Sequence, residues 1–264
     1  MDTPQQTFCK ILLVGEHCED IYHYGTCNRL NPEAPVPILD QTHTTAVAGM
    51  SSNVKNNLLS FNFSVNHFKN TEHLEKHRLI DLTYKQHLIR FDIGDTPLKE
   101  FDVRLLKDNY DIIVISDYDK GFITTTVAKY ICKKYKDRPI FVDSKKDDLT
   151  CYNNCFLKIN EDEFNNLKNY NKDCELITTL GGSGAKYKSY YYPTDTVDVH
   201  DVCGAGDVFL ASLVYGFNRL KSITKAIPIA NKFASMSVNK LGAYVLTDTD
   251  INQIEKQNEK LFRN

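Results

Sequence analysis

The sequence predicts an α/β fold built on a mostly parallel sheet. Two observations carry this. Short apolar runs, each closed by glycine or a polar residue, alternate with stretches of helical spacing, the pattern of a sheet covered by helices. A glycine loop, Asp201-Val202-Cys203-Gly204-Ala205-Gly206-Asp207, then opens an apolar run over 208–217, which reads as a buried helix entered through a tight turn. The length of 264 residues suits one such domain, 1–264, and no internal repeat, low-complexity tract or linker divides it.

Taken in order, Lys10-Ile11-Leu12-Leu13-Val14-Gly15 is a short buried strand ended by glycine. Ligands of open α/β sheets gather beyond the carboxyl ends of strands, and Glu16 and Asp20 follow there, although taken alone they read better as a solvated acidic loop. Residues 22–39 alternate aromatics and carry prolines, as an edge strand would. A helix starts near 48–54, where serine or asparagine can cap it, and runs to about Leu59. The chain is thin between 54 and 84, so a sheet with fewer strands is expected there. Residues 69–78 read as a solvated charged stretch. Among His67, His73, His77 and His87, only His73 and His77 fall a helical turn apart, and no carboxylate stands at ligand spacing.

Residues 84–92 alternate as a strand, with Arg90 either a fork for phosphate or half of an Arg–Asp surface pair. Residues 110–116 are a second buried strand, followed by Asp117-Tyr118-Asp119-Lys120-Gly121. A helix over 124–135, a strand over 139–143 and another over 156–160 come next. Glu161, Asp162 and Glu163 suit a helix start. Residues 175–185 read as strand then glycine turn, 186–193 as an aromatic strand pair, 226–241 as a second apolar helix and 248–262 as a polar terminal one.

Net charge is −2, which gives no electrostatic argument for nucleic acid. No apolar stretch is long enough to span a bilayer. Residues 1–7 are polar, so no signal peptide is expected. The eight cysteines show no paired metal spacing, and reduced thiols in a cytoplasmic protein are expected.

The loop at 201–207 carries the chemistry. Gly204 and Gly206 lack a Cβ, so backbone can approach a ligand closely. The helix start favours an anion, and Asp207 beside it can take a proton from a hydroxyl. An anion hole next to a carboxylate base suits phosphoryl transfer to an alcohol. On these residues alone, a turn and helix cap is the favoured reading.

The flanks decide between them. Asp201 and the apolar helix match Asp-Thr-x-Gly-Ala-Gly-Asp, and the chain resembles the ribokinase-like (PfkB) sugar kinases. Gly15-Glu16 through Tyr22 and Gly25, then Arg29-Leu30-Asn31-Pro32-Glu33-Ala34-Pro35-Val36-Pro37, resemble one branch in particular, the kinases of D-glycero-D-manno-heptose 7-phosphate. Further matches run in family order to Gly242. The resemblance implies a three-layer α/β/α ribokinase-like sandwich with a small β lid from about 20–45 and 82–94. That lid covers the sugar site and often makes a homodimer contact. It implies Asp207 as general base, with Gly204, Ala205 and Gly206 as the anion hole. Asp20, Gly49 and Asn53 would meet the sugar, and Arg90 and Lys120 its phosphate. Asn160 and Glu163, in an Asn-x-x-Glu motif, would order Mg²⁺ and phosphate. Thr179, Gly181 and Asn231 would lie near ATP. Met50 stands where the family has a second glycine, which would add bulk to the pocket wall.

The implied activity is ATP-dependent phosphorylation of heptose 7-phosphate at its anomeric hydroxyl. Bifunctional relatives carry a nucleotidyl-transferring domain, and the chain ends too early to hold one, so the kinase step alone is expected. A kinase of another sugar and a silent sugar- or nucleotide-binding relative are the rivals.

Overall fold

The computed structural model describes residues 8–199, 201–240 and 242–259. The chain begins with β1 (Lys10–Gly15), β2 (His17–Leu30) and β3 (Pro37–Met50), then α1 (Ser51–Ser60). It continues through β4 (Ser64–Phe68), β5 (Glu75–Asp81), β6 (Gln86–Ile93), β7 (Ile112–Asp117), α2 (Thr125–Lys134) and β8 (Ile140–Ser144). Next come β9 (Asp148–Leu149), β10 (Phe156–Asn160), α3 (Glu161–Asn166), β11 (Asn169–Tyr170) and β12 (Glu175–Thr179). The hairpin β13 (Ala185–Tyr187) and β14 (Tyr190–Tyr192) precedes α4 (Ala205–Leu220), α5 (Ile223–Ser237) and α6 (Asp248–Gln257). The last residues of the terminal helix expected over 248–262, and Leu241 at the end of the expected apolar helix, lie outside the described residues.

The central sheet has eight strands in the order β14-β13-β12-β10-β8-β7-β1-β4. From β12 to β4 every neighbour pairs parallel, and β13 and β14 close one edge antiparallel. Parallel strands need both faces covered, and alternate residues go to opposite sides. Ile11 and Leu13 pack in the cluster formed with α1, α4 and α5, while Leu12 and Val14 pack with α2. The fold is therefore the three-layer ribokinase-like sandwich that the sequence implies. Helix α4 is buried along most of its length, as its nearly continuous apolar run requires.

The second sheet is the lid, in the order β3-β2-β5-β6. It is wider than expected. Residues 69–78 are not a solvated stretch: β5 runs parallel to β2 in the middle of the lid, and Lys76 and Arg78 are buried. Charged side chains take two of the strand's alternating buried positions, Lys76 and Arg78, with Ile80 at the next. No helix intervenes between β4 and the lid strand β5, which accounts for the thin segment.

Candidate active site

Asp207 lies in the first turn of α4 and is buried. Its two oxygens accept from neutral donors: the Asn53 amide at 3.0 Å and the Tyr118 hydroxyl at 3.0 Å. Asn53, expected at the sugar, thus spends its amide on the base. Burial pushes the Asp207 carboxyl up to about 6, against the help of the Asn53 hydrogen bond, and the nearby Asp143 adds to the rise. Asn53 comes from α1 and Tyr118 follows the end of β7, so three elements converge on one carboxylate. Sequence pattern does not single out Tyr118, which is only one letter of a motif string.

Gly204 precedes the helix with φ 75°, a left-handed conformation that favours glycine. A Cβ there would also come within 2.6 Å of the Asn53 amide. Asp201 pins the loop from the other side, accepting from Cys203 N and Gly242 N, each at 2.9 Å. Gly204, Ala205, Gly206 and Asp207 all line one cavity of about 430 Å³. Asn160, Thr179, Gly181 and Asn231 line the same cavity, so the expected nucleotide residues meet the loop. The Asn231 amide donates to Tyr192 O at 2.7 Å and so also ties α5 to the hairpin edge.

Lys158 is a functional candidate that the motifs do not mark. It sits inside β10, is buried, lines the cavity and donates to Asp143 Oδ2 at 2.8 Å. A lysine between Leu157 and Ile159 in a five-residue strand was the available signal. Asp143 Oδ1 is buried with no hydrogen-bond partner. Glu163 does not line the cavity. It closes a reciprocal capping box with Asn160 at 2.8 Å and pairs with the Lys145 ammonium.

On the lid side, the expected sugar residues Asp20, Gly49, Arg90 and Lys120 lie outside the lining of this cavity. Asp20 is buried and ion-paired with Arg78. Gly49 lies beside it in β3, where a Cβ would overlap the Asp20 carboxylate. Arg90 turns both donor groups onto Asp92, at 2.7 and 2.6 Å, on an exposed strand. Lys120 pairs with Asp95. Neither reaches the cavity, because each has a carboxylate close at hand. Met50 is not on the cavity wall either. It packs with Cys18, Leu74 and Tyr118, and its φ of 54° explains why glycine suits the position. Glu16 faces inward from the end of β1 and accepts from Tyr118 N at 2.8 Å. Burial, with Asp117 close by, pushes it up to about 7.

A buried carboxylate, a glycine-led helix start and a buried lysine around one cavity suit phosphoryl transfer. A family model described as pfkB family carbohydrate kinase matches residues 33–250, and the chain belongs to that family. Among similar proteins is the bifunctional protein HldE of a Nitratiruptor species. It is 29% identical over a 309-residue alignment covering 95% of this chain and 66% of that protein. The chain thus spans just under two thirds of that relative's length. Among solved structures, Arabidopsis thaliana ribokinase complexed with ribose and ATP superposes with TM-score 0.68 at 15% identity, covering 94% of this chain and 99% of that one. Escherichia coli phosphofructokinase-2 in complex with potassium gives TM-score 0.73 at 12% identity, covering 96% and 100%. At these identities the structures speak for the fold alone. No helix among the described residues is long and apolar enough to cross a membrane.

Proposed function

We propose that the chain transfers the γ-phosphoryl group of ATP to the anomeric hydroxyl of heptose 7-phosphate, with Asp207 as general base. The observation that carries this reading is Asp207 itself. It is a buried carboxylate raised to about 6, held only by neutral donors, at the wall of a cavity lined by Lys158 and the Gly204–Gly206 loop. A base tuned near neutrality keeps both its ionised form and its driving force. The substrate oxygen attacks the γ-phosphorus and the bond to the β-phosphate oxygen breaks. The hydroxyl proton passes to Asp207, and ADP leaves. The loop amides and the Lys158 ammonium face the charge on the transferring group. The similarity to HldE proteins supports heptose phosphate as the acceptor, and the ribokinase solved with ribose and ATP supports ATP as the donor.

Mg²⁺ takes few protein ligands and keeps waters and substrate phosphates. The residues present fit that habit: among the described residues no cluster of three ligating side chains exists, yet Asp143 Oδ1 is buried at the cavity without a hydrogen-bond partner. Asp143 would hold the ion, Glu163 joining only if it leaves Lys145, and the ion would supply charge neutralisation to the phosphates. Exposed Ile89, Phe91 and Ile93 on the lid support pairing of two copies there.

Magnesium-dependent ADP release tests the reading, with heptose 7-phosphate, fructose, fructose 6-phosphate and ribose as acceptors and Asp207→Asn beside the wild type. We expect release with heptose 7-phosphate, and a fall in kcat of about 10³-fold or more in the variant. Release with a different sugar keeps the mechanism and replaces the acceptor. Nucleotide binding with no sugar-dependent release favours a silent binding protein.

A further inference from the structure

All eight cysteines are free thiols, and phosphoryl transfer as proposed above uses none of them. Three lie together in the apolar layer that α2 covers: Cys132 on α2, Cys155 just before β10 and Cys174 just before β12. The sheet brings two of these face to face. β10 and β12 are neighbouring parallel strands that pair Phe156 with Glu175. Cys155 and Cys174 hold the matching positions one residue earlier, where Glu175 N donates to Cys155 O at 2.9 Å. Both pack on the same side of the sheet as Leu157 and Ile159, and their sulfurs lie 3.5 Å apart.

A buried cysteine usually serves as a small apolar side chain. Two in register on adjacent strands are a different case. Neighbouring strands lie about 4.8 Å apart, within the Cα separation of roughly 4.4–6.8 Å that a disulfide spans. Residues 172 and 173, just before Cys174, are exposed, so a small oxidant reaches that thiol first. A hydrogen bond from Cys155 holds the Cys174 thiol below its ordinary value, which favours the reactive thiolate. Bridging the pair orphans no polar group. Cys174 gives up its contact with Tyr152 O at 3.4 Å, and that carbonyl keeps the Asn171 amide at 2.7 Å.

We propose that Cys155 and Cys174 form a redox-sensitive lock: a hydroperoxide joins them in a disulfide that closes residues 155–174 into a ring. The segment so closed carries Lys158 and Asn160, which line the cavity, and the capping box of Asn160 with Glu163. The Cys174 thiolate attacks one peroxide oxygen. The O–O bond breaks, and hydroxide leaves and takes up the proton that the thiol had shed. The Cys155 sulfur then attacks the sulfenic acid formed on Cys174. The S–O bond breaks, and the departing hydroxide takes the Cys155 proton to form a second water. The two thiols lose two electrons and the peroxide gains them. Dithiothreitol restores both thiols by exchange. Closing the ring removes freedom from the unfolded chain, so the oxidised protein is the more stable one.

The test is titration of the whole chain with hydrogen peroxide, then alkylation of the remaining thiols, peptide mass mapping and thermal denaturation, with and without dithiothreitol. The eight alkylatable thiols fall by two, and one linked peptide joins Cys155 to Cys174. Tm rises by roughly 5–10 °C and returns with dithiothreitol. Amide exchange over residues 161–173 slows by about tenfold in the oxidised protein. Cys132→Ser keeps the bridge and the shift, and Cys174→Ser loses both. Eight thiols surviving peroxide, Cys174 carried on to a sulfinic acid without a bridge, or a bridge from Cys132 in place of Cys174 overturns the proposal. So does a bridge that leaves Tm and exchange unchanged. None of these readouts needs turnover, so the lock and the kinase reading stand or fall separately. If Cys174→Ser does not fold, the wild type with and without dithiothreitol decides.

Discussion

Two buried carboxylates, Asp207 in the body and Asp20 in the lid, are held in opposite ways. Asp207 accepts from an amide and a phenol, both neutral. Asp20 is paired with the Arg78 guanidinium. A full positive charge fixes a carboxylate in an ion pair, whereas neutral donors orient it and leave its charge uncompensated. On the proposed reading the body keeps the acid–base group, and the lid keeps a fixed polar wall.

The sharpest way to break the contrast is to remove one partner from each carboxylate. Arg78→Ala leaves Asp20 buried without its cation. We expect a loss of about 3–5 kcal/mol in denaturant unfolding, largely recovered in the double variant Asp20→Asn, Arg78→Met. If the single variant costs under about 1 kcal/mol, far below the usual loss for a broken buried pair, Asp20 is not locked by Arg78 and the contrast fails.

Tyr118→Phe probes the other side more gently. The phenol's hydrogen bond holds the Asp207 carboxyl down against burial. In wild type the base is ionised above about 6, so kcat/KM falls about tenfold per pH unit below that. Without the phenol the acid limb moves upward, by roughly half a unit to one unit. A limb that stays in place means Tyr118 does not tune the base. The same shift has a sign in stability. A carboxyl raised above its unfolded value stabilises the fold most at low pH, and that contribution is lost as pH rises through about 6. Asp207→Asn is therefore expected to melt above the wild type at a pH well above 6, with the gap closing in acid below the unfolded value.

The smallest effect concerns Met50, which packs against Tyr118 at φ 54°. Truncating a buried methionine costs about 2–5 kcal/mol, while relief of a left-handed backbone returns about 1–3 kcal/mol. Met50→Gly should thus lose only about 1–2 kcal/mol and be more stable than Met50→Ala, the reverse of the usual order. Thermal denaturation of the pair reads it directly, and the usual order would mean the position is unstrained.

The same contrast explains what could be read from sequence. The body strands β1, β7, β8 and β10 announce themselves because their side chains are buried on both faces and form apolar runs. The base and its loop are legible because Gly204, Gly206 and Asp207 are neighbours in the chain. The lid strand β5 is hidden. Lys76 and Arg78 face inward, so the strand's buried positions look like surface ones. Arg90 and Lys120 draw attention through motif strings, and in the structure they pair with Asp92 and Asp95. Lys158 escapes notice because a single polar residue in an apolar run reads as noise until the fold brings it to Asp143 and the loop.

Only Glu16 separates β1 from β2, and β3 runs straight into α1 at Met50. Ser51 N is bound to Glu16 O at 2.9 Å across this joint, and Asn53, just beyond, donates to Asp207. The lid and the amide that holds Asp207 therefore share one short run of backbone, so whatever fixes the end of β3 also fixes where the Asn53 amide stands.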